Sequence, residues 1–253
     1  MGLSTVAKLP AKTLAQTLLR SFLLQASWNF ERLQSLGALY VLVPGLRYLY
    51  RGDELVEAYR RHLEYFNTHP YMASPVLGAT LALEEARKNG NKVPLGVQEF
   101  KSMIMAPYAA MGDALFWGAL RPLAACFALF FAVKGSLWAP VVFLILFNVP
   151  HLWLRIGGFL YGYNSGLKVV DFLQRRSLPD LALRLKETTV VLLGGLIAYL
   201  SYRCFVAEGL EPVWGLGILP GVVLLSWLVR RGVSVLMFCM IFVFLLLMSQ
   251  VVR

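Results

Sequence analysis

Residues 232–252, GVSVLMFCMIFVFLLLMSQVV, carry no charged side chain. A run of about 20 such residues has the length of a helix crossing the ~30 Å hydrocarbon core of a bilayer. Four further stretches are apolar over a comparable length: 137–154 and 213–229 carry no charge, and 114–133 and 188–206 carry one arginine each, Arg121 and Arg203. Backbone groups in hydrocarbon must satisfy one another within the segment, so spans of this kind are helices. Composition agrees: 58% of the 253 residues are hydrophobic and 15% are charged, against about a quarter charged in ordinary soluble domains. The class read from these runs is an all-α polytopic membrane protein. The formal net charge of +10 is spread between apolar segments rather than gathered in one polar domain. That pattern argues against nucleic-acid binding and fits loops facing anionic membrane lipid.

Arg155, Lys168, Arg175, Arg176, Arg184 and Lys186 crowd the stretch 155–187, which places it on the cytoplasmic side. Arg230 and Arg231 lie two spans further on, hence on the same side, and the short segment with Glu208 and Glu211 falls outside. The expected location is the bacterial inner membrane, with a cytoplasmic N-terminus and an extracytoplasmic C-terminus.

The first half is patterned differently. Within 11–36, Leu14, Leu18, Phe22 and Ala26 recur at four-residue steps while Lys12 and Arg20 lie elsewhere, as in an N-terminal amphipathic helix at an interface. Residues 37–50 are apolar, short and interrupted by Pro44-Gly45; residues 51–67 are charged and read as a helix in water. The stretch 68–91 is apolar and then abruptly charged, too short to span and therefore read as re-entrant or buried. The chain divides into 1–187, a core membrane domain with re-entrant or broken helices, a first helical hairpin and a basic loop, and 188–253, the C-terminal transmembrane helices.

Asp113 and Arg121 stand in an otherwise apolar segment. Helix neighbours sit three or four residues apart, whereas these are eight apart, or about 12 Å along a helix axis. Each needs its own partner, water or ligand. Asp113 has two readings here, a contact to a ligand or the N-cap of a helix starting at Ala114. Cys126, Cys204 and Cys239 lie in or near apolar runs without a CxxC pair, so neither a metal site nor a disulfide is expected. There is no phosphate-cradling GxxxxGKS loop, no cofactor is expected, and enzymatic action by this chain alone is poorly supported.

Four strings occur in a familiar order: QASWNFERLQSLG (25–37), RRHLEYFNTHPYMASPVLGATLALEE (60–85), MGDALFWGALRP (111–122) and GSLWAPVVFLILFN (135–148). Over roughly 15–206 the chain resembles the IID membrane subunit of the mannose/fructose/sorbose class of the bacterial sugar phosphotransferase system. The resemblance implies a IIC membrane partner, usually in a trimer of heterodimers, and soluble IIA and IIB components that carry phosphate on histidines. It implies a hexose substrate of the mannose, glucose, fructose or amino-sugar class, phosphorylated as it reaches the cytoplasm, and no phosphohistidine on this chain. The sequence departs from the family pattern at APYAAMGDALFWG (106–118), where the family usually carries two more glycines and a proline after the aspartate. A non-transporting docking or regulatory relative is the alternative that this departure raises.

Against that background the candidate sugar contacts are Trp28, Asn29, Glu31, Asn67, Thr68, His69, Thr80, Glu84 and Asp113. Sugar hydroxyls need donors and acceptors together, and SWNFE supplies an aromatic face, an amide and a carboxylate. Asn67, Thr68 and His69 precede a proline in a turn-forming set. Thr80 lies four before Glu84, on one helical face. His69 lacks the companions of an acid–base catalyst, and His62 and His151 read as structural.

Overall fold

The computed structural model describes residues 8–171 and 177–251. Its elements are helical: α1 (Ala11–Ser21), α2 (Ser35–Leu49), α3 (Gly52–His62), α4 (Ala73–Lys88), α5 (Val97–Gly112), a π-helical segment (Asp113–Leu120), α6 (Arg121–Ala132), α7 (Trp138–Ser165), a 3₁₀ turn (Gly166–Asp171), α8 (Leu178–Ala207), a second 3₁₀ turn (Pro212–Gly217), α9 (Ile218–Arg230) and α10 (Val235–Val251). Among the described residues the only β pairing is two isolated bridges, Asn29 with Leu33 and Leu33 with Phe66.

Four helical stretches are long and apolar enough to cross a bilayer: Val97–Ala132, Trp138–Asp171, Leu178–Ala207 and Val213–Arg230. The first is a single rod of 36 residues, about 50 Å long. Asp113 lies inside it with α-helical dihedrals (φ −61°, ψ −45°) and makes no capping hydrogen bond. The N-cap reading of Asp113 is therefore corrected, because the helix that it was to start begins sixteen residues earlier at Val97. Arg155 is likewise not in a loop. Helix α7 runs on to Ser165 and buries Arg155, while Arg184 and Lys186 stand on α8. Arg175 and Arg176 lie outside the described residues.

The N-terminal amphipathic helix stops at Ser21 rather than continuing to 36. The reason is tertiary. The Gln34 side-chain amide donates to the Thr68 carbonyl (2.6 Å) and accepts from the Thr68 N–H (3.0 Å), and the Gln34 N–H bonds the Phe66 carbonyl (2.9 Å). These bonds draw 29–34 out of helix and against 66–68. Pro44 does not break α2, and 73–88 forms one unbroken helix, α4.

Helix α4 is the centre of the packing. Its residues from Ala73 to Leu81, with Leu83 and Glu84, are buried, which leaves no polar face and explains why its sequence lacks amphipathic alternation. It lies against α7 almost backbone to backbone. A Cβ on Gly162 would come within 2.0 Å of the Pro75 carbonyl oxygen, and one on Gly78 within 2.2 Å of the Phe159 carbonyl oxygen. Close approach through small residues is how helices gain dispersion energy where lipid removes the hydrophobic drive. The chain divides into two compact units, up to Leu193 and from Gly194 onward. The second consists of the end of α8, the second 3₁₀ turn, α9 and α10, and α9 has no buried residue of its own.

Candidate functional site: polar groups around the π-helical segment

The Gln34–Thr68 clasp sets two of the sequence-predicted groups side by side. Trp28, Asn29 and Glu31 occupy the turn before Gln34, with Trp28 and Glu31 exposed and Asn29 half-buried. The indole of Trp28 meets Phe30 edge to face at 4.9 Å. The Asn29 carboxamide oxygen accepts the Arg32 N–H (2.9 Å), closing the turn locally, and the Arg32 guanidinium reaches the Leu63 carbonyl (3.1 Å). Asn67 is half-buried beside this turn, and the Thr68 hydroxyl is buried without a hydrogen-bond partner.

His69 carries the same segment to the π-helical segment. Its ring stacks on Phe116 (5.2 Å, 13°) and tilts against Trp117 (5.1 Å). The fit requires glycine at 112, since a Cβ there would stand 2.3 Å from the His69 Cβ. Nδ1 accepts the Tyr71 N–H (3.3 Å), whereas Nε2 is buried without a partner. Burial pushes the imidazole down to about 4, with Arg155 and His151 adding to the effect and Asp113 opposing it. The ring is neutral at physiological pH. Around Tyr71 gather His151 (ring centroids 4.0 Å) and the Arg155 guanidinium (5.5 Å), which also lies over Phe22 (4.6 Å) and donates to the Pro70 carbonyl (3.2 Å).

Asp113 opens the π-helical segment and is exposed. It makes no ion pair among the described residues, although Arg121 and Lys186 are near the same segment. Arg121 instead covers the Trp117 ring (5.6 Å), and Lys186 lies across Gly118. A carboxylate at bilayer depth costs about 2.5–3.5 kcal/mol on insertion scales, so an unpaired one there faces a cavity, a pathway or another chain.

Thr80 and Glu84 are elsewhere. The Thr80 hydroxyl donates to the Val76 carbonyl (2.8 Å) within α4. Glu84 is fully buried, eleven residues from Ala73 and so about 16 Å along the helix. Its carboxylate accepts from Arg61 twice (2.7 and 2.9 Å), His62 Nε2 (2.9 Å) and Tyr50 (2.7 Å). Burial works against its charge, and these donors outweigh burial, holding the carboxyl far below the usual range. Every oxygen is taken, so Glu84 joins α2, α3 and α4 rather than the polar rim. Sequence reasoning did not find this partnership of His62 and Arg61, nor the clustering of Trp117, His151 and Arg155. One signal was present: an arginine within the apolar run LWLRIGG of α7, a costly placement that marks a pairing or a pathway. Among the described residues no three His, Cys, Asp or Glu side chains are grouped so as to hold a metal ion.

Long apolar helices, glycine-mediated packing and a polar, aromatic rim on a π-distorted helix define a polytopic α-helical membrane protein. Residues 8–203 match the family model of the mannose/fructose/sorbose family IID component of the phosphotransferase system, and the chain belongs to that family. It is 45% identical over 170 residues to the mannose-specific EIID component of Escherichia coli K12, covering 66% of this chain and 60% of that protein. It is 31% identical over 258 residues to the fructose permease IID component of Bacillus subtilis 168, covering 93% and 94%. The match thus spans less than two thirds of the E. coli relative's length. Among solved structures, a chain described as a membrane protein superposes with a TM-score of 0.73 at 33% identity, over 97% of this chain and 98% of that one. A chain from the cryo-EM structure of the mannose transporter ManYZ with microcin E492 gives 0.60 at 32% identity, over 96% and 97%.

Proposed function

We propose that this chain is the membrane IID component of a mannose-family sugar phosphotransferase permease, forming with a IIC subunit the path for hexose uptake coupled to phosphorylation. The observation that carries this reading is the likeness, along nearly the whole chain, to a subunit of a solved mannose transporter. The geometry supports it, since Asp113 is exposed, makes no ion pair among the described residues, and shares its π-helical segment with the exposed indole of Trp117. That arrangement suits a ligand rich in hydroxyls better than lipid.

In this reading the groups nearest the sugar are Trp28, Asn29, Glu31, Asn67, Thr68, His69 and Asp113. Glu84 and Thr80 leave the set because their polar atoms are already engaged. The chain supplies no phosphorylated residue; soluble IIA and IIB partners carry the phosphate, and the assembly is a trimer of IIC–IID heterodimers in the bacterial inner membrane. The sugar belongs to the mannose, glucose, fructose or amino-sugar class.

The test is uptake of labelled mannose or glucosamine by cells lacking their own mannose permease, expressing this chain with its IIC subunit and the soluble components. Uptake lost in Asp113→Ala supports the reading. Stable IIC–IID complexes without uptake of any hexose would instead support a non-transporting docking relative, the reading favoured by the alanines at 106 and 110 and Ala114.

A further inference from the structure

We infer that Asp113 and Trp117 form one half of a hexose-binding site, with the indole as platform for the apolar face of a pyranose ring and the carboxylate as acceptor for its hydroxyls. This rests on the sugar-permease reading above. Trp117 was not among the residues that the sequence singled out for sugar contact, and the structure brings it there by three independent features.

The first is backbone register. A π-helix bonds i to i+5, is rare, and is frequently found at functional sites. Here it extends over eight residues, Asp113–Leu120. Leu115, Phe116 and Ala119 turn inward, while Asp113, Trp117 and Gly118 are exposed. The outward face therefore carries a carboxylate, an indole and a bare glycine, and the Lys186 side chain lies in the space beside that glycine.

The second is preorganisation. The Trp117 ring is stacked on Phe147 (6.1 Å, 18°) and held at an angle by His69 (5.1 Å) and Tyr71 (5.7 Å), yet it remains 40% exposed. A ring fixed by packing and still partly exposed costs little ordering when it receives a ligand, once the flexible Arg121 side chain lying over it at 5.6 Å swings aside.

The third is the set of charges. Hydroxyl groups both donate and accept, so a sugar site needs acceptors and donors within reach of each other. Asp113 accepts. Lys186 donates from α8: its side chain crosses Gly118, with Cε 3.1 Å and Nζ 3.4 Å from where a Cβ would stand. Arg121 borders the indole on the other side. Neither cation neutralises Asp113 in an ion pair among the described residues, so the carboxylate is available.

Equilibrium binding of labelled mannose, glucose, fructose and glucosamine to the purified IIC–IID complex tests this. Trp117→Leu keeps apolar bulk and removes the π face; Asp113→Asn keeps shape and removes the charge. Each is expected to weaken binding of the preferred hexose at least about tenfold, whereas Trp117→Phe changes it less than about threefold. All three complexes are expected to elute intact on gel filtration. If the unaltered complex binds a hexose and Trp117→Leu and Asp113→Asn bind it equally well, the half-site is overturned and the permease reading stands. If Asp113→Asn dissociates the complex, the carboxylate pairs with a basic group of the IIC chain and the inference fails in that way. If the unaltered complex binds none of the four sugars and cells show no uptake, both readings fall. Should Trp117→Leu alone not assemble, the affinity of Asp113→Asn decides.

Discussion

Glu84 receives its four carboxylate hydrogen bonds from three different side chains, Tyr50, Arg61 and His62. Arg61 grips both oxygens in the bidentate geometry that makes Arg–carboxylate pairs strong. Removing one member of a buried pair leaves the other's charge uncompensated, at about 3–5 kcal/mol. Glu84→Gln is therefore expected to destabilise the chain by roughly 3 kcal/mol, read as a drop in the denaturation midpoint of the detergent-solubilised complex. Replacing Glu84 and Arg61 together by apolar residues of similar volume is expected to recover much of that loss.

The same cluster sets a pH dependence. His62 is held neutral: burial lowers its affinity for a proton, Lys101 and Arg61 add to that, and the bond to Glu84 opposes it. With Nε2–H donating to Glu84, Nδ1 is the unprotonated nitrogen, which agrees with its having no partner. A group whose folded-state pKa lies below its unfolded value, and which folds neutral, contributes least in acid. Stability is expected to be constant above the ordinary histidine range near pH 6.5 and to fall as pH drops through and below it. Glu84 is depressed as an acid, so its contribution is complete above about pH 4.5 and is lost only in stronger acid. His62→Gln, which can still donate to Glu84, is expected to flatten the decline between about pH 7 and 5. Melting curves at fixed ionic strength across that window check this.

At the scale of elements, α4 and α7 meet through glycines that have no room for a methyl group. The atoms that a Gly162 Cβ would strike are the Pro75 carbonyl oxygen and carbon and the Ala79 nitrogen, all backbone. No side-chain rotation relieves such a contact. Gly162→Ala is expected to cost about 1–3 kcal/mol and to separate the two helices, whereas Gly157→Ala, with open space around it, is expected to be neutral. Comparing the thermal midpoints of the two variants isolates the crossing from the general effect of adding a methyl group. Because His69 sits just before α4 and Arg155 lies on α7, opening this crossing is also expected to loosen the polar rim and to raise the KM for uptake.

At the scale of the molecule, charge along the chain predicts orientation. Lys134–Ser136 is expected outside, Arg230-Arg231 inside and the C-terminus outside. Single cysteines at 136 and 231, in a chain with its native cysteines removed, are expected to react with a membrane-impermeant maleimide on intact cells at 136 and only after permeabilisation at 231. Reversed labelling would invert the chain, and with it the side from which Asp113 is reached.

Hydropathy is additive and local. The free energy of moving a 20-residue run into hydrocarbon depends on the run itself, so the five apolar stretches announced a polytopic helical protein before any contact was known. The strings around SWNFE, FNTH and GD likewise carried the family, and the eight-residue separation of Asp113 and Arg121 showed that they had no simple α-helical pairing. What the sequence could not state was which polar groups meet. Gln34 with Thr68, Glu84 with Arg61 and His62, and Arg155 with Pro70 are joined across 34, 23, 22 and 85 positions. Only the packing of α4 against its neighbours brings those positions together. The π register at Asp113–Leu120 was hidden for the same reason, because its sequence, DALFWGAL, has no proline, and its single glycine is tolerated in an α-helix as well. Tertiary contacts, not local propensity, decided that Trp117 faces outward beside Asp113 while Glu84 is sealed inside.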